Sequence, residues 1–237
     1  MKGFDLILIP KWLADVGLWI NRRYYRRLFE AQYRRKAQPP AWFDHRIDLY
    51  YHWPHNLFWL ERGILPRKYM FPGCTVLDLF CGDGFYSRYF YSTIAGHIDA
   101  VDVDPTAIKH AQRWHASPKV DHYELDAVMQ EFPRIHYDVI VWFEAIEHLN
   151  EGDYTVVLQR IKAAMGENSV LIGSTPIIEE AQLGQGSWQH SNEFTSVEQL
   201  RALLSRDFHD VQIELTIYPV LEGGERRTAY FTLMRPK

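Results

Sequence analysis

From residue 75 onward, short apolar runs alternate with stretches of helical periodicity. Thr75–Phe80, His97–Val103, Val120–Leu125, Tyr137–Trp142 and Ser169–Gly173 have the length and apolar character of buried strands. Between and after them, segments near 84–94, 105–116, 127–131 and 153–164 read as helices. Alternation of this kind predicts a mostly parallel sheet with helices on both faces. A helix over Ser196–Ser205 then precedes two longer β-like runs, Asp210–Tyr218 and Thr228–Met234. The intervening Glu222-Gly-Gly-Glu225 suits a hairpin loop.

The pattern before residue 60 is different. Residues 12–36 read as one amphipathic helix, with Trp12, Val16, Ile20, Tyr24 and Leu28 recurring every fourth position. Its second half carries Arg22, Arg23, Arg26, Arg27, Arg34, Arg35 and Lys36 against Glu30, and Pro39-Pro40 ends it. The plain expectation is a helix that packs over the domain with its basic face in solvent. The alternative is contact with an anionic partner or peripheral contact with a membrane surface. Residues 41–60 are dense in aromatic side chains, including Trp42, Phe43, Tyr50, Tyr51, Trp53, Phe58 and Trp59, and suit either a lid or core. The chain therefore divides into a helical and aromatic extension, 1–60, and a larger domain, 61–237.

Composition narrows the class. With 237 residues, 47% apolar and 24% charged, the chain can bury a full core. A net charge of −4 gives no global drive toward nucleic acid, and the basic residues cluster instead in the N-terminal helix. The two cysteines, Cys74 and Cys81, do not make a disulfide scaffold. The apolar run Phe4–Pro10 is short and carries Asp5, unlike a signal core. No uncharged run approaches the roughly 20 residues that span a bilayer. A cytoplasmic protein is the simplest expectation.

Chemistry concentrates at the strand ends. The first strand closes in Val76-Leu-Asp-Leu-Phe-Cys-Gly-Asp-Gly-Phe-Tyr-Ser87, placing Gly82 and Gly84 at a strand-to-helix turn where a ligand can approach the backbone. Ser87 stands where a dinucleotide fingerprint needs a third glycine, and no Gly-Lys-Ser/Thr follows, so both phosphate-binding readings weaken. Asp78 precedes the glycines, Asp102 closes the second strand, and Asp126 with Ala127 follows the third. Three acids at successive strand ends suit a ligand with an amine, a ribose and a base but no phosphate. Asp104 reads as a helix N-cap before Pro105, and Asp83 as a solvent-facing turn residue.

On VLDLFCGDGFYS, AVDVDPTAIKHAQ, ELDA, YDVIVWFEAIEHL and HSNEFTSVEQLRALL, in this order, residues 75–215 resemble the class I S-adenosylmethionine-dependent methyltransferases. The resemblance implies a Rossmann-like α/β sheet of seven strands, the last antiparallel. It also implies S-adenosylmethionine as cofactor and an enzyme that transfers its methyl group. Asp78 and the Gly82–Gly84 backbone would meet the methionine end, Asp102 the ribose, and Asp126 with Ala127 the adenine. Phe85 and Val103 would pack against the cofactor.

The acceptor side then falls on Phe143-Glu-Ala-Ile-Glu-His-Leu149. If this run begins a helix, Glu144 and His148 lie one turn apart on one face, with Glu147 alongside. His148 or His190 is then the better general base and Glu144 a second catalytic candidate. Alternatively, Glu147 and His148 only solvate a helix start. The loop 174–194, with Trp188 and His190, would shape the pocket of a small-molecule or saccharide acceptor methylated on oxygen. Glu144, Glu147, His148 and His190 also resemble the metal-binding set of small-RNA 2′-O-methyltransferases, but the chain lacks a recognisable RNA-end-binding domain, and no metal is expected. A lipid-linked acceptor and a non-catalytic cofactor-binding protein are the remaining alternatives.

Overall fold

The computed structural model describes residues 11–31, 44–180, 191–220 and 223–237. Three helices come first: α1 (Lys11–Phe29), α2 (His45–Tyr51) and α3 (Leu57–Ile64). The domain then runs β1 (Thr75–Leu79), α4 (Phe85–Tyr89), β2 (His97–Asp102), α5 (Pro105–Trp114), β3 (Val120–Glu124) and β4 (Tyr137–Phe143). It closes with α6 (Glu151–Ala163), β5 (Met165–Pro176), α7 (Val197–Leu204), β6 (Phe208–Pro219) and β7 (Glu225–Pro236).

The strands form one seven-stranded sheet in the order β3-β2-β1-β4-β5-β7-β6. β1 pairs in parallel with both β2 and β4, while β7 runs antiparallel to β5 and β6. The chain leaves β1 toward β2 and β3, then returns to its other side with β4. That reversal opens a crevice at the carboxyl ends of β1 and β4.

Alternation along the central strands divides the core between two faces. Leu77, Leu79, Ile140 and Trp142 pack with α6 and α7, and Val76, Val139, Val141 and Phe143 pack with α3, α4 and α5. Asp104 caps α5 as expected, accepting from Thr106 N at 2.7 Å, with Pro105 at the first helical position.

Two expectations are corrected, and the aromatic stretch, left open between lid and core, gains a structure. Residues 127–131 form a turn, because Asp126 Oδ1 accepts from Val128 N at 2.8 Å and Gln130 Oε1 accepts from Asp126 N at 2.9 Å. These side-chain bonds compete with a helical ladder, and Pro133 follows closely. The aromatic stretch after residue 44 contains α2 and α3, with Tyr51 and Phe58 buried. Finally, most of the α1 stripe does not pack: Trp12, Val16, Ile20 and Tyr24 are exposed, while Leu28 is half-buried. The helix docks through Tyr25, stacked on Tyr50 at 4.6 Å, and Phe29, stacked on Tyr51 at 4.4 Å. Of the basic tail, residues 32–36 lie outside the described residues.

Candidate active site

The turn after β1 is shaped by backbone conformations that few side chains adopt. Gly82 and Gly84 have φ of 55° and 69°, and Phe80 has φ of 59°, an uncommon state for an aromatic residue. At the end of neighbouring β4, Glu144 also has positive φ, 49°. Two such non-glycine residues flank the crevice where parallel strands diverge, which is where backbone strain gathers in functional sites.

Asp102 accepts two backbone hydrogen bonds at this edge. Its Oδ2 accepts from Gly82 N at 2.8 Å and its Oδ1 from Asp104 N at 2.9 Å. Burial raises its pKa, and the two backbone donors work against that rise. Each oxygen keeps a second lone pair, so the carboxylate can still accept from a vicinal diol. Val103 beside it is exposed. Asp126 is partly exposed, shapes its own turn, and precedes the buried Ala127. Asp78 is buried, accepts from Ser87 Oγ at 2.5 Å, and is pushed up to about 7, mainly by burial.

Gly84 and Phe85 pack inward within the domain. A Cβ on Gly84 would meet His122 Nε2 at 2.7 Å and Ala111 Cβ at 2.9 Å, so this glycine allows close packing of the turn on α5 and β3. Phe85 points into an aromatic cluster with His45, Tyr86, Tyr89 and His115. Asp83 is fully buried rather than solvent-facing. Its Oδ2 accepts from His45 N at 3.0 Å, and His45 Nδ1 lies 2.8 Å from Oδ1. Burial would raise its pKa, but His45 and His115 outweigh that and lower it. The N-terminal extension thus clasps the glycine turn. Cys81 is buried, which pushes its thiol well above the ordinary range and leaves it inert.

The FEAIEHL run is no helix start. Glu144 is left-handed, Ile146–His148 makes a 3-10 turn, and α6 begins only after Asn150, whose side chain caps it. Glu144, Glu147 and His148 therefore separate. Glu144 accepts from Ser174 Oγ at 2.7 Å and pairs with Arg226. Glu147 is buried, accepts from Thr175 Oγ1 at 3.2 Å, and is pushed up to about 8 by burial and by neighbouring Glu144. It is not a solvated first-turn acid. His148 is exposed. Among the described residues these three do not gather their ligand atoms at one point. His190 and Trp188 lie outside the described residues.

Residues unforeseen in the sequence complete this side. Arg62 of α3 lies over the rings of Tyr86, Phe143 and Phe58, at 5.1, 5.6 and 5.7 Å. Burial opposes its charge, but Tyr86 and Glu144 outweigh it and raise its pKa. Arg226 lies 3.8 Å from the centroid of Phe58. Asp48 of α2 is 1% exposed and raised well above the carboxylate range, first by burial and then by Asp83 and Asp44. Among the described residues, Asp48 Oδ2, Arg62 Nε, Tyr86 OH, Arg226 Nε and Thr228 Oγ1 are buried without hydrogen-bond partners. No spacing rule links these positions; only the fold assembles them.

Residues 76–168 match the family described as "Methyltransferase domain". A probable S-adenosylmethionine-dependent methyltransferase of Mycobacterium tuberculosis is 29% identical over 122 residues, 50% of this chain and 43% of the relative. An uncharacterized methyltransferase of Mycobacterium bovis is 26% identical over 132 residues, 49% of this chain and 66% of that protein. The chain's match thus spans less than half of the first relative's length. Among solved structures, a possible exported protein of Bordetella parapertussis superposes with TM-score 0.61 at 20% identity, covering 92% of this chain and 80% of that one. The N-methyltransferase NodS of Bradyrhizobium japonicum gives 0.59 at 16% identity, covering 77% and 98%. At these identities the likeness is one of fold.

Proposed function

Starting from a chain that carries a class I S-adenosylmethionine-dependent methyltransferase domain, we propose that it methylates an oxygen of a small, polar, hydroxyl-bearing acceptor, a saccharide or a similar metabolite. The observation that carries this reading is the set of buried unpartnered polar atoms on Asp48, Arg62, Tyr86, Arg226 and Thr228. A buried donor or acceptor without a partner costs about 1–3 kcal/mol, so a fold that keeps several suits a ligand that supplies their bonds.

The cofactor edge fits the donor molecule. When bound there, S-adenosylmethionine supplies an electrophilic methyl group on sulfur. Asp102, held by the Gly82 and Asp104 amides, would accept from the ribose hydroxyls. Asp126 and Ala127 stand where the resemblance puts the adenine, and Asp78 with the Gly82–Gly84 backbone stands at the methionine end. On the acceptor side, the Glu144–Arg226 pair orients a hydroxyl-bearing substrate. In its ionised form, Asp48, whose Oδ2 is unpartnered, accepts the hydroxyl proton during transfer. It supersedes His148 in this role, since that ring is exposed on its turn. Glu144, already paired with Arg226, acts as an orienting group.

The test is a labelled-methyl screen with the full chain across saccharides, hydroxylated metabolites, amines and RNA. Label on a hydroxyl compound, with Asp48→Asn lowering turnover but not cofactor affinity, supports the reading. Label confined to amines or RNA, or full turnover by Asp48→Asn, overturns it.

A further inference from the structure

The first half of α1 presents an apolar face that α2 does not cover. At about 100° per residue, Trp12, Leu13, Val16, Trp19 and Ile20 fall within an arc of about 120°. Trp12 is 61% exposed and Trp19 61%. Tyr25 and Phe29, which stack on α2, project from the opposite side of the same helix. The stripe therefore points away from the body of the protein. In the following turns the same outward arc continues as Arg23 and Arg27, both exposed. Arg23 lies 5.5 Å over the Trp19 ring, while Arg26 pairs with Glu30.

From this arrangement we infer that α1 is an interfacial anchor that lies flat on an anionic phospholipid surface. Its tryptophans enter the headgroup boundary, and its arginines meet lipid phosphates. Three observations favour this occupant over a second copy of the chain. The arginines need a negative partner, which a bilayer supplies at any position along the helix. Tryptophan suits a boundary where one side is apolar and the other wet. The long arginine side chains can lay their stems on the apolar arc while the guanidinium groups reach outward. No described helix is long and apolar enough to cross a membrane, so contact is peripheral. Because α1 stacks on α2 and His45 of α2 clasps Asp83, the docked helix would hold the cofactor turn close to the lipid surface.

Flotation of the full chain with phosphatidylcholine vesicles, with and without phosphatidylglycerol, tests this without reference to methyl transfer. The protein is expected to float only with anionic vesicles and to be released as salt rises from about 0.1 M to about 1 M. Trp12→Ser/Trp19→Ser and Arg23→Gln/Arg27→Gln should each lower the partition at least about tenfold. Unchanged circular dichroism and unchanged affinity for S-adenosylhomocysteine would show that these variants fold. Absence of flotation by the wild type, or equal flotation by both variants, overturns the inference. So does a concentration-dependent dimer, without vesicle binding, that the tryptophan variant dissolves.

Discussion

The two sides of the crevice are built on opposite plans. On the cofactor side, between β1 and β3, carboxylates are already bonded within the glycine turn and strand ends, Asp102 by the amides of Gly82 and Asp104 and Asp78 by Ser87 Oγ. On the acceptor side, side chains from α2, α3, β4 and β7 meet across long sequence distances, and several polar atoms stay unpartnered. A pre-satisfied edge suits one unchanging ligand. An edge of unspent hydrogen bonds leaves its specificity to whichever groups the extension and β7 contribute.

The sharpest way to break this contrast is Asp102→Ala. Hydrogen bonds to a charged group contribute about 1.5–3 kcal/mol each, so losing two should weaken S-adenosylhomocysteine about 100-fold or more by calorimetry. Equal binding by wild type and variant would remove Asp102 from the site. Glu144→Gln, on the other side, should lower turnover about 10- to 100-fold while cofactor affinity holds within about twofold. A matching drop in both would mean that the two sides are not separate.

Gly84→Ala tests whether the turn is set by packing. Its Cβ would press on His122 and Ala111 at φ of 69°, and overpacking with strain should cost about 2 kcal/mol in urea unfolding. A pH effect spread over several units is expected from Glu147, whose carboxyl rises from 4.5 to about 8 in the folded protein. The fold holds this proton where the unfolded chain has lost it. That stabilisation is full below the unfolded value and is lost as pH climbs toward the folded one, by at most about 1.4 kcal/mol per pH unit. Glu147→Gln should flatten the decline in stability between these limits; an unchanged slope would show that Glu147 titrates normally.

The contrast also explains what could be read from the sequence. The strand–helix alternation and the acids at strand ends are local patterns, so the sheet, the strand-end position of Asp102 and the Asp104 cap were legible. Asp48, Arg62, Arg226 and Thr228 were not, because their meeting depends on how α2, α3 and β7 pack. Asp83 looked like a turn residue in solvent, since nothing near it in sequence announces that His45 closes over it. The helical reading of FEAIEHL failed at Glu144, whose left-handed backbone turns the chain before any helix can start. The α1 stripe had the right period and the wrong partner: periodicity identifies a face but not what lies against it.

The clasp between His45 and Asp83 makes the extension and the glycine turn a single thermodynamic unit. By reciprocity, any ligand that tightens the turn must also tighten the grip on α2, and releasing α2 must loosen the ligand by the same factor. Amide exchange across residues 45–51 should therefore slow when S-adenosylhomocysteine binds, and an unchanged rate would show the two to be uncoupled. The extension then serves as a gauge of occupancy, reporting from outside the sheet whether the crevice is filled.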